Sequence, residues 1–183
     1  MKRSLVAILF GITSACFYFN TTANNLTLTD ETNASALAPS PTPEPPKFID
    51  FNVKGIRLDD SELRVRAVFG KPVSRRVVKV DYCGIDEFLE INYPGIEFRL
   101  DRGNGRDWSV LEIFISSPNV PLNPTVKIGD SSASLSESFG EPFTKKTNGE
   151  ESDVYYLTRD DDEAQFTIRE NKIVRIRLYI NPC

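Results

Sequence analysis

Apolar and polar residues alternate with a period of two in a series of short runs: RRVVKVDY, FLEINY, IEFRL and SVLEIFIS, then VYYLTR, AQFTIRE and IVRIRLYI. A period of two places successive side chains on opposite faces of a strand, so each run predicts a half-buried β-strand. The turn chemistry of YPG, DRGNGRD and RDDDE separates them. Two stretches follow a different rule. Residues 56–73, IRLDDSELRVRAVFGKPV, align without a gap on residues 126–143, VKIGDSSASLSESFGEPF. Asp60 meets Asp130, Ser61 meets Ser131, Phe69 meets Phe139, Gly70 meets Gly140 and Pro72 meets Pro142. Val65 with Phe69, and Leu135 with Phe139, are spaced i and i+4 on one helical face. Ser61, Ser131 or the preceding aspartate suits the N-cap, the glycine suits the left-handed position after the last turn, and the proline prevents continuation.

These elements predict an α+β fold of two tandem repeats, each a short helix followed by an antiparallel β-meander, with the helices packed on one sheet face. Repeat 1 spans residues 50–118, a linker 119–124, and repeat 2 residues 125–183. If alternation holds, the core contains Ile96, Phe98, Leu100, Leu111, Ile113, Ile115, Phe166, Ile168, Val174, Ile176, Leu178 and Ile180. The opposite face then shows Glu97, Arg99, Glu112 and Phe114, with Gln165, Thr167, Arg169, Arg175, Arg177 and Tyr179.

The N-terminus changes the picture from a bare domain to an exported one. Lys2 and Arg3 precede an apolar run from Leu5 to Ile12 and then Thr13, Ser14 and Ala15, the order of a secretory leader over residues 1–23. Two processing sites fit. TSAC places a small pair before Cys16 as in the lipobox of bacterial lipoproteins, with Thr13 where that motif has a large aliphatic residue; ordinary cleavage would fall after Ala15 or Ala23. Residues 24–49, rich in Asn, Thr, Ser and Pro, have too little apolar surface to offset their ordering entropy and read as a disordered tether. The Asn/Thr-rich run that begins at Asn20 produces N-x-[ST] triplets at Asn20, Asn25 and Asn33, which matter only in a eukaryotic secretory pathway.

Composition then excludes several chemistries. The net charge of −4 includes the two leader cations, so the exported part is more acidic still and makes a poor generic nucleic-acid binder. One basic cluster stands out: Arg64, Arg66, Lys71, Arg75, Arg76 and Lys79, read as the solvated side of a helix and strand. There is no histidine, which removes His-based nucleophile activation, His-ligated metals and a His general acid or base. The adjacent acids Asp86 and Glu87 have no oxyanion or metal partner in the pattern, so the chain is expected not to be an enzyme. The acidic run Asp160 to Glu163 lacks the spaced ligands of a calcium loop, and the G-x-G of DRGNGRD lacks a third glycine and a following helix. No metal or cofactor is expected. With Cys16 lipidated or removed, Cys83 and Cys183 remain; in an oxidising compartment they are the natural disulfide pair, the alternative being two free thiols.

The stretch IGDSSASLSESFGEP resembles the helix-and-turn signature of the outer-membrane assembly lipoprotein (SmpA/OmlA) family. In tandem it is similar to the β-lactamase inhibitory protein family. That resemblance implies two helix-plus-sheet repeats forming one concave sheet that grips another protein, and it transfers no contact residue.

Arginine and aromatic residues on an exposed sheet are the types that anchor protein interfaces. The expected function is therefore a non-catalytic exported binding domain for an envelope or secreted protein. Its partner-binding residues are Arg99, Phe114, Arg169, Arg175, Arg177 and Tyr179, with Trp108 as an anchor on or beside a hairpin loop. The only expected contact with membrane is a lipid anchor at Cys16. The alternative is a small-ligand or cell-wall binding module with a pocket between the repeats, where Trp108 and the tyrosines stack on the ligand.

Overall fold

The first helix, α1 (Glu62–Phe69), starts where Ser61 Oγ accepts from Arg64 N at 3.3 Å and ends where Gly70, at φ +77°, returns its N–H to Arg66 O. The second, α2 (Ala133–Phe139), ends the same way at Gly140, while Ser132 supplies no side-chain cap at its start. Asp60 and Asp130 tighten the preceding turns by accepting from Arg57 N and Lys127 N at 2.8 and 2.9 Å. The computed structural model describes residues 48–181 apart from 103, 104, 106, 124 and 159–161. The leader, most of the tether, Cys16 and Cys183 lie outside the described residues.

Four strands follow α1: β1 (Ser74–Tyr82), β2 (Ile85–Tyr93), β3 (Ile96–Asp101) and β4 (Ser109–Ile115). Four follow α2: β5 (Thr144–Asn148), β6 (Glu151–Leu157), β7 (Asp162–Arg169) and β8 (Lys172–Ile180). All eight join one antiparallel sheet in the order β1-β2-β3-β4-β8-β7-β6-β5. This corrects the expected α+β architecture of two helix-plus-meander units. The fold is dominated by a single eight-stranded sheet, and its two helices are only 8 and 7 residues long. The physical reason lies at the seam. β4 and β8 pair directly, Ile113 opposite Leu178 and Ile115 opposite Ile176, so neither meander keeps an edge of its own there.

Val65, Leu135 and Phe139 of the helices pack into one core with Phe98, Phe166, Ile113 and Ile176 of the sheet. Phe139 sits 5.0 Å from Phe51, 5.4 Å from Tyr156 and 5.9 Å from Phe166, centroid to centroid. Tyr93 and Tyr156 donate their hydroxyls to Gly70 O and Gly140 O at 3.2 Å, tying the sheet to the C-terminus of each helix.

Two irregularities overturn individual core assignments. β3 and β4 pair Arg99 with Glu112 and then Leu100 with Val110, skipping Leu111. Val110 therefore enters the main core, and Leu111 joins a separate small cluster with Ile85 and Phe88, against which Ile180 also packs. At β7 and β8 the register passes from Thr167–Arg175 to Ile168–Ile173, so Ile173 is fully buried where Val174 was expected. Each bulge inserts one residue and shifts the alternation beyond it.

Candidate functional site

Both helices give their buried side chains to the core on one side of the sheet, so among the described residues no helix covers the other side. On that side, directly opposed residues of neighbouring strands form a row: Arg76, Glu90, Arg99, Glu112, Tyr179 and Glu163. Alternating charges across a sheet attract, and here they link into a chain. Arg76 Nη2 lies 2.7 Å from Glu90, and Arg99 reaches Glu90 at 3.4 Å, Glu97 at 3.0 Å and Glu112 at 3.3 Å. Arg177 donates from Nη2 to Glu112 Oε1. The Glu112 side chain is only 7% exposed, which makes its two guanidinium partners necessary rather than decorative.

Phe114 sits at the centre of this band. The Arg99 guanidinium lies 4.7 Å and that of Arg177 5.4 Å from its ring centroid. Arg177 also lies 4.2 Å from the centroid of Tyr179. Planar guanidinium groups over aromatic faces combine cation–π attraction with apolar contact. Tyr179 donates its hydroxyl to Glu163. Burial first, and then this bond to a carboxylate, push the phenol well above the usual tyrosine range.

Of the seven residues the sequence nominates, this structure brings four together: Arg99, Phe114, Arg177 and Tyr179. Arg169 pairs with Glu151 at 3.3 Å, away from the band. Arg175 stands opposite Thr167, exposed and without an ion pair among the described residues. Trp108 requires correction. It is 7% exposed, belongs to the main core, and carries the Arg102 guanidinium at 4.2 Å from its ring, so it cannot act as a projecting anchor. Sequence reasoning did not name Glu90 and met Glu163 only in an acidic run between strands; both complete the row. Their only signal is a position opposite an arginine or tyrosine once the strand register is known.

A cleft of about 490 Å³ lies elsewhere, lined by Ile49, Phe51, Leu58, Thr158 and Leu178 with Asp50, Arg57, Asp59 and Asp162. Neither Trp108 nor a tyrosine is among the described residues that line it. No group of three or more His, Cys, Asp or Glu side chains is placed to hold a metal among the described residues. No described helix is long and apolar enough to cross a membrane.

No family profile matches the chain, and no curated protein does. Three solved structures align with part of the chain. An extracellular SCP-domain protein of Bacillus anthracis and a cysteine-rich secretory protein of Staphylococcus aureus each align at 14% identity with a TM-score of 0.45, over 68% of this chain and 44% of theirs. The DUF4309 protein YjgB of Bacillus subtilis aligns at 20% identity with a TM-score of 0.41, over 66% of this chain and 78% of its own. This chain therefore spans less than half the length of the first two.

Proposed function

We propose that the chain is a non-catalytic exported domain that binds another envelope or secreted protein through the uncovered face of its sheet. The observation that carries this reading is the preformed cluster of Phe114 between Arg99 and Arg177, with Tyr179 beside it. Aromatic and arginine side chains held in fixed rotamers lose little entropy on docking, which favours their use as anchors. Export is supported by the leader at residues 1–23. The mass of the mature N-terminus separates cleavage before a lipidated Cys16 from cleavage after Ala15 or Ala23.

The test uses the full mature chain as bait on the exported proteins of its own source. Phe114→Ala and Arg175→Glu serve as controls, because neither strands a buried charge. Arg177→Glu is a poor control, since it would leave Glu112 without one of its two cations. A protein retained by the native chain and lost with Phe114→Ala supports the face as the interface. Identical retention by all three baits removes the proposal.

A disulfide between Cys83 and Cys183 belongs to the same reading. Cys83 occupies the turn between β1 and β2, and Ile180 packs against the small cluster of Ile85, Phe88 and Leu111, whose Ile85 lies two residues beyond that cysteine. Three further residues reach at most roughly 10 Å, enough to bring the chain end back to that turn. A second reading, a small-ligand or cell-wall module, draws on the apolar floor and charged rim of the 490 Å³ cleft. Saturable binding of a cell-wall fragment that Phe114→Ala leaves intact would favour it.

A further inference from the structure

The cleft of about 490 Å³ plays no part in the face, and its volume falls in the range of small-molecule sites. Ile49 and Phe51, from the segment that leads into the domain, and Leu178 of β8 give it a floor of buried apolar side chains. Its rim is acidic. Asp50, Asp59 and Asp162 stand against one guanidinium among the described lining residues, that of Arg57, and Asp50 already engages it at 2.6 Å.

Asp59 differs from its neighbours. It makes no ion pair and no side-chain hydrogen bond among the described residues. Its φ is +65°, a left-handed conformation that aspartate tolerates better than most residues but glycine adopts at no steric cost. The gapless alignment of the two repeats sets it against Gly129, at φ +93°. The two turns are held alike, Asp59 N donating to Val110 O and Gly129 N to Ile173 O, both at 2.8 Å. The backbone therefore favours glycine in both copies, and only the copy that borders the cleft carries a carboxylate there. Thr158 supplies a second polar group. It is 8% exposed and lines the cleft, and its hydroxyl has no hydrogen-bond partner among the described residues. Hydroxyls buried to that degree ordinarily have one.

These groups select the chemistry of an occupant. A carboxylate only accepts and a hydroxyl can accept, so the complementary head group is one that only donates. An ammonium has three donors, no acceptor and a positive charge at pH 7. An anion would meet three carboxylates instead. Behind the head group, the floor suits an apolar stem.

We propose that the cleft binds an ammonium group carried on an aliphatic stem, with Asp59 and Thr158 receiving the head group and Ile49, Phe51 and Leu178 the stem. This rests on the small-ligand reading of the cleft and is independent of the face around Phe114.

Hexylammonium, hexanol and hexanoate are titrated into the full mature chain at pH 7, and backbone amide shifts in NMR spectra read both affinity and location. Hexylammonium is expected to shift amides of residues 48–51, 57–59 and 178 and to bind at least about threefold more tightly than hexanol, with hexanoate weakest. Asp59→Asn and Asp59→Gly are each expected to weaken hexylammonium at least about threefold and to leave hexanol unchanged. Asp59→Gly copies the turn that Gly129 already makes, so its melting temperature should fall by no more than roughly 4 °C. Phe114→Ala should leave all three affinities unchanged. Lysine capped by α-acetyl and methylamide groups separates two sources of the same chemistry: binding as tight as that of hexylammonium assigns the site to a lysine side chain of a peptide, and weaker binding assigns it to a free amine. If hexanol or hexanoate matches hexylammonium, or both Asp59 variants bind it as the native chain does, the proposal is overturned while the cleft remains a ligand site. If none of the three probes binds, or the shifts fall outside the cleft, the proposal and the small-ligand reading fall together.

Discussion

Replacing Arg177 by methionine isolates the electrostatics of the face, because methionine keeps most of the side chain's volume while removing its charge. Glu112, 7% exposed, would then depend on Arg99 alone, which Glu90 and Glu97 also engage. Stranding a buried charge completely costs about 3–5 kcal/mol. With one guanidinium still at 3.3 Å, the expected loss is roughly half of that, about 2 kcal/mol. For a domain of this size that lowers the melting temperature by roughly 6–12 °C. Glu112→Leu combined with Arg177→Met removes the stranded charge, so the pair should lose less than the sum of the single variants, with a coupling of about 1–3 kcal/mol. Arg175→Met is the matched control: exposed and unpaired, it should change stability by no more than about 0.5 kcal/mol. Thermal and urea unfolding of the four variants measure all of this. Should Arg177→Met melt together with Arg175→Met, or should the double variant show simple additivity, the inferred dependence of Glu112 on Arg177 is wrong.

Gly95, at φ +78° in the β2–β3 turn, would place a new Cβ 2.2 Å from Ser117 Cβ, so Gly95→Ala should destabilise by more than about 1 kcal/mol in urea titration. Glu62 is held below its ordinary value of 4.5, first by its hydrogen bond from Arg75. A depressed folded value contributes stability above the unfolded value that is lost as pH falls through the folded one, so Glu62→Gln should flatten the acid limb of the stability profile below about pH 5 and leave its shape at neutral pH unchanged. A non-reducing digest of the mature chain should yield one linked peptide pair containing Cys83 and Cys183. Cys83→Ser should lower stability by on the order of 4 kcal/mol, as expected for closing so long a loop. Recovery of both thiols free would remove the disulfide.

What was legible in the sequence is what local chemistry determines. The caps and stops around Ser61, Gly70 and Gly140 marked both helices, because capping acts within a few residues. Seven of the eight strands announced themselves by alternation. β5 did not, because TKKTN is polar on both faces and lies at an edge where nothing need be buried. The pairing of β4 with β8 was not legible, since it joins residues far apart in the chain and no local pattern states a partner. Leu111 and Val174 were misplaced for a related reason. A bulge shifts the alternation by one residue, and bulges are set by the neighbouring strand. Trp108 followed a loop rich in glycine and charge, and only the packing of the hairpin base shows its indole turned inward. The face cluster was half visible: Arg99, Phe114, Arg177 and Tyr179 could be named from alternation, whereas the burial of Glu90 and Glu112 depends on cations of the two flanking strands, which only the sheet order and register identify.

That burial also sets what the face can offer an arriving protein. On the face, Glu90, Glu112 and Glu163 already engage Arg76, Arg99, Arg177 and Tyr179, so an arriving protein gains chiefly the apolar contact of Phe114 and the flat guanidinium planes. Little free charge remains to be screened there. Attraction between free charges weakens as the Debye length shrinks from about 10 Å at 0.1 M salt to about 3 Å at 1 M. Raising salt across that range should therefore weaken capture through the face by much less than about tenfold. A loss of capture of about tenfold or more would mean that the ion pairs of the face open on binding and that its charges, not Phe114, carry recognition.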